Sequence, residues 1–216
     1  MLYYDISGSL RLIFILKARR CVENADISKS PAHRKRGILF MKSKSLQRTR
    51  RLAIDALLGT LMFLGDIIFE ALPNIHPVAL LLAAYTVVYR FGALIPLYIY
   101  ILLTGISWGF MPAWIPYLYV WLPLFLLILI IPRRLPPLVR AALYTVLCAL
   151  HGLLFGILWA PAYMLMFNLS FDAAASWVLA GAPFDIAHAV GNAVASLLIL
   201  PLSSLLLTLE GKKQRR

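Results

Sequence analysis

Three polar side chains stand in line inside the last apolar stretch of the chain: Asp185, His188 and Asn192. Spacings of three and four residues put them on one face of a helix. A carboxylate one turn from an imidazole can hold a hydrogen-bond donor or a cation, or can pass a proton between its members. An ionisable group within a hydrocarbon-spanning segment is costly, so it faces the bundle interior, a partner or a water-filled cavity. Asn192 is a substrate-binding candidate with Asp185 and His188, although its deeper position in the segment favours a structural role. Beside the stripe, Ala187, Gly191 and Ala195 repeat every fourth residue, the small-residue spacing that lets membrane helices approach closely.

Other chemistries lack their parts. The chain has no GxxxxGK[ST] phosphate loop, no HExxH helix and no GxSxG elbow. Cys21 and Cys148 form neither a CxxC nor a Cys/His metal spacing. No nucleophile or metal set accompanies Asp185 and His188, so the expectation is a protein that is not an enzyme and carries neither metal nor cofactor. His151, mid-span beside Gly152, reads as an interhelical hydrogen-bonding residue. Asp66 and Glu70, four apart, are candidates for a gate or site, or outer-end acids kept for solvation.

The elements that position these residues follow from composition. Of 216 residues 62% are hydrophobic and 14% charged, and several apolar runs approach the roughly 20 residues that cross a bilayer. The expected fold is an all-α integral membrane protein, a six-helix bundle over 42–211, with spans near 52–72, 78–90, 92–110, 115–131, 141–166 and 183–209. Residues 168–181 read as a loop that carries Asp172 and Trp177, with room for a short interfacial helix. Residues 1–41 read as a disordered basic tail or a mis-called start ahead of Met41, and 212–216 as a basic tail.

The net charge of +12 does not point to nucleic acid, because the basic residues sit beside and between apolar runs instead of forming a basic surface. They sort by side. The 42–51 cluster, Arg90, the 133–140 loop and the C-terminal cluster fall on one face, while the connections at 73–77, 111–114 and 167–182 carry no Lys or Arg. This asymmetry puts both termini in the cytoplasm. The opposite, outer side then collects Asn74, His76, Tyr117, Trp121, Trp159 and Tyr163 with Asp185 and His188. Aromatic faces with a few polar anchors suit a small planar molecule. The plainer alternative is an interfacial aromatic belt.

These residues resemble the substrate-binding S components of energy-coupling factor (ECF) vitamin transporters over roughly 45–210. The likeness rests on the basic lead into a first helix with small residues, Pro73-Asn74-Ile75-His76 opening the second, the glycine-spaced third, and Asp185-Ile-Ala-His188-Ala-Val-Gly191-Asn192 followed by Pro201-Leu202. The resemblance implies a multi-pass protein of a prokaryotic cell membrane that captures a vitamin or related micronutrient outside. It also implies a transmembrane coupling (T) subunit and two ABC-type ATPases as partners. Family members carry an Ala-x-x-x-Ala docking pattern on the first helix. Here Ala53 and Ala56 are three apart, and only Ala56 with Thr60 keeps the four-residue step. Two other readings remain open: a ligand-free membrane scaffold or assembly protein, and a small proton-coupled carrier using Asp185 and His188.

Overall fold

The structure, a computed structural model, describes the backbone of residues 31–71 and 76–211 and the side chains from Ser45 onward within those ranges. The chain divides into two units, Met1–Ala53 and Ile54–Arg216. It is 85% helical, with no strand among the described residues. Helix α1 (Pro31–Phe69) includes residues 31–41, where a tail is expected from composition. Residues 1–30 and the basic tail at 212–216 lie outside the described residues, as does the turn at 73–75.

Among the described residues eight further α-helices follow: α2 (Val78–Tyr89), α3 (Leu94–Trp108), α4 (Tyr117–Val120), α5 (Leu122–Ile130), α6 (Pro137–Leu153), α7 (Phe155–Phe167), α8 (Phe171–Ser196) and α9 (Ile199–Leu209). Among the described residues five stretches are long and apolar enough to cross a membrane: Ser45–Phe69, Val78–Trp108, Pro112–Ile130, Pro137–Phe167 and Phe171–Ser196. The large apolar side chains that cover the exterior fit that environment. Leu165 is 86% exposed and Leu138 82%, an arrangement that water would penalise and lipid does not.

The stretch Val78–Trp108 turns back on itself. Pro77 lies against Gly65 of α1, and the Tyr85 hydroxyl reaches the Leu58 carbonyl, so α2 runs antiparallel to α1. After the 3-10 turn at Arg90–Ala93 the order inverts. Pro96 and Ile99 of α3 meet Gly59, and the Tyr100 hydroxyl meets Asp66. Arg90 makes the reversal with φ of 57°, a region that disfavours side chains.

The last apolar segment differs from the expected 183–209. Helix starts at Phe171, because the Ser170 hydroxyl accepts from the Ala173 N–H and Asp172 sits in the first turn, both favourable at a helix N-terminus. Pro183 lies inside α8 and does not start it. Prolines are tolerated in membrane helices, where neighbouring elements satisfy the freed backbone groups. The expected loop at 168–181 is therefore mostly three turns of helix. That shift carries Trp177 onto the same rod as Asp185.

The core of the Ile54–Arg216 unit is aromatic at its centre. Trp121, Tyr100 and Leu97 have no exposed surface, and Tyr85 and Phe125 are nearly as buried.

Candidate ligand-binding site

Helices α6 and α7 form one side of the site and α8 the other, running antiparallel. Contacts step along the pair in register. The Ser196 and Thr145 hydroxyls are hydrogen-bonded at 2.7 Å, and Asn192 Nδ2 donates to the Cys148 carbonyl at 3.2 Å. A Cβ on Gly152 would stand 2.8 Å from the Ala189 nitrogen, so only glycine permits the approach there. One turn on, Gly156 meets Asp185. Near the end, Tyr163 stacks on Trp177 with centroids 5.0 Å apart. The polar stripe of α8 thus faces the glycine edge of α6 and α7.

The rod breaks between Leu153 and Phe155. At the new N-terminus the Gly156 N–H donates to both carboxylate oxygens of Asp185, each at 3.3 Å. A carboxylate oxygen accepts more than one hydrogen bond, so Asp185 is anchored on one side and retains acceptor capacity.

A cavity of about 720 Å³ opens beside this contact, within the range of small-molecule sites. Its wall includes Asp66 of α1, Glu70 just past the end of α1, His76, Trp108, Tyr117, Phe155, Gly156, Trp159, Trp177, Phe184 and Asp185. Three carboxylates and the rings of six Phe, Tyr or Trp residues among these therefore face one space. Such a space favours a planar molecule with donor or cationic groups. Asp66 is held by the Tyr100 hydroxyl, which donates to Oδ2 at 3.0 Å. His76 lies in the connection before α2, where burial pushes its imidazole below the ordinary value and the nearby Asp66 charge partly opposes that. All four basic residues described within Ile54–Arg216, namely Arg90, Arg133, Arg134 and Arg140, sit at the turns and helix start of the opposite end.

Behind the cavity lies a second set of rings. Phe155 and His76 touch both. His188 packs against His76 at 4.9 Å and Phe155 at 4.7 Å between centroids. Trp121 stacks on His151 at 5.2 Å. His151 Nε2 lies 2.9 Å from the Val120 carbonyl, at the helix break that separates α4 from α5. Among the described residues no group of three or more His, Cys, Asp or Glu is disposed to hold a metal ion.

The structure sorts the sequence candidates. Asp185, His76, Tyr117 and Trp159 line the cavity. His188 and Trp121 sit behind it with no exposed surface, and Tyr163 backs Trp177. Asn192 does not reach the cavity wall and ties α8 to α6. Asn74 lies outside the described residues. Ala53 and Ala56 are exposed, while Thr60 is half-buried and donates to the Ala56 carbonyl at 2.9 Å. Phe155 and Phe184 are wall residues that the spacing analysis passes over. A signal for Phe155 exists, since Phe155, Trp159, Tyr163 and Phe167 recur every fourth residue and form a continuous run of ring contacts.

No protein-family model matches the chain, and no curated protein and no solved structure matches it.

Proposed function

We propose that this chain is a membrane-embedded substrate-binding subunit, which captures a small planar micronutrient on the outer side and delivers it inward. The observation that carries the reading is the cavity of about 720 Å³, walled by aromatic rings and by Asp66, Glu70 and Asp185. A wall of that composition suits a vitamin-sized heterocycle with donor or cationic groups, held by stacking and directed hydrogen bonds.

In this reading six helical spans cross the cell membrane with both termini cytoplasmic. The division of charge supports that orientation, with the basic turns at one end and the cavity at the other. The chain carries no ATP-binding motif, so uphill uptake needs energy from elsewhere. Its resemblance to ECF S components supplies the partners: a transmembrane coupling subunit and two ATPases. That assignment rests on the sequence likeness, whereas the capture step rests on the cavity.

The test is native mass spectrometry of the protein purified from cells grown in rich medium. The expected result is a bound mass of vitamin size in the wild type that is lost in Asp185→Ala. A ligand-free wild type, with Asp185→Ala changed only in stability, would favour a scaffold. Uptake that collapses with the proton gradient and needs no ATPase would favour a proton-coupled carrier.

A further inference from the structure

The second ring set contains buried polar atoms without hydrogen-bond partners. Both ring nitrogens of His188, the Trp121 Nε1 and the His151 Nδ1 are in this state. His188 and Trp121 have no exposed surface, and His151 is 4% exposed. Buried donors and acceptors are nearly always satisfied, so four such atoms on three side chains grouped around His151 mark a place that something polar fills. His151 lies 6.4 Å from His188 and 5.2 Å from Trp121 between centroids.

Their chemistry is fixed by elementary bonding. A carbonyl only accepts, so His151 donates from Nε2 to Val120 and its Nδ1 is left as an acceptor. Trp121 Nε1–H only donates. A neutral His188 offers one donor and one acceptor. The set therefore presents two donors and two acceptors with no formal charge. A carboxylate would meet lone pairs, and an ammonium or amidinium would meet N–H groups. An amide-like edge, which donates and accepts side by side, matches both.

Two residues bridge this set and the cavity. His76 and Phe155 line the cavity and also contact His188 and Trp121. Resting on the reading of the cavity as a substrate site, we propose that His188, Trp121 and His151 form an inner subsite behind Phe155 and His76 that receives an uncharged donor–acceptor edge of a planar ligand. The carboxylates of the outer cavity then hold the ligand's donor-rich or cationic end. The substrate class is a planar heterocycle with an amide-like edge at one end and a basic or donor-rich group at the other.

Three isosteric planar probes separate the possibilities: benzamide, benzamidinium and benzoate, titrated by ligand-observed NMR against the intact protein in nanodiscs. Benzamide is expected to bind, and to weaken by about tenfold or more in His188→Leu. Benzamidinium is expected to weaken more than benzamide in Asp185→Asn, and benzoate to bind most weakly. Trp121→Phe, which keeps the ring on His151 and removes the donor, carries the same test if His188→Leu does not fold. Benzamide affinity unchanged in a folded variant, or benzoate binding as tightly as benzamide, would overturn the inner subsite alone and leave water as the partner of these nitrogens. Failure of all three probes to bind the wild type would overturn the cavity reading together with the subsite.

Discussion

The Gly156 N–H donates to both oxygens of Asp185, each at 3.3 Å, and so joins the start of α7 to the middle of α8. The contact needs glycine, because a Cβ at Gly156 would stand 2.6 Å from Asp185 Oδ2. Substituting Gly156→Ala is expected to push the carboxylate away from the amide and to lower occupancy by the co-purifying molecule by about tenfold. Native mass spectrometry reads this directly. Full occupancy in a folded Gly156→Ala protein would show that the position of Asp185 does not matter for capture.

Gly152 tests packing instead of binding. A Cβ there would lie 2.8 Å from both the Ala189 nitrogen and the His188 carbonyl carbon. Backbone cannot yield as the end of a side chain can, so Gly152→Ala should force α6 and α8 apart. Overpacking of this kind costs about 1–3 kcal/mol. A fall in the thermal midpoint in detergent, larger than that of Gly156→Ala, is the expected outcome.

Asn192 is placed for structure, since its Nδ2 donates to the Cys148 carbonyl. Hydrogen bonds of this kind between membrane helices contribute about 0.6–2 kcal/mol. Asn192→Leu is expected to lower stability by that order and to leave the bound small molecule in place. Loss of the molecule from a folded Asn192→Leu protein would return Asn192 to the site.

His76 predicts a pH dependence. Burial holds its imidazole below the ordinary 6.5, against the opposing charge of Asp66. Below 6.5 the unfolded chain therefore takes up a proton that the folded protein resists. Stability contributed by neutral His76 is present above that pH and declines as pH falls through it. Thermal unfolding at pH 7.5 and 5.5 should show a smaller acid-side loss in His76→Gln than in the wild type. Equal losses would assign the pH dependence to other groups.

What the sequence determined by itself was the solvent, the helical fold and one face. Continuous apolar runs of bilayer length call for helices, because hydrocarbon leaves the backbone only helices or closed barrels to satisfy its polar groups and barrel strands are shorter and alternate. Helical periodicity then places Asp185, His188 and Asn192 on one stripe, and in the structure all three are buried. Local pattern also carried an unread signal, the four-residue aromatic repeat that includes Phe155.

Tertiary structure decided which partner each stripe residue meets. One stripe has three fates: Asp185 lines the cavity on a freed amide, His188 lies behind Phe155, and Asn192 ties two helices together. Those fates depend on where α6 and α7 break and on how closely Gly152 lets α8 approach. Neither is a property of the helix that carries the stripe. The start of α8 at Phe171 is similar: turn-forming residues and Pro183 argue for a late start, while the Ser170 cap brings Trp177 onto the rod. Periodicity constrains direction within one helix, whereas a cavity is a relation among several, and contacts between segments distant in the chain are what created it.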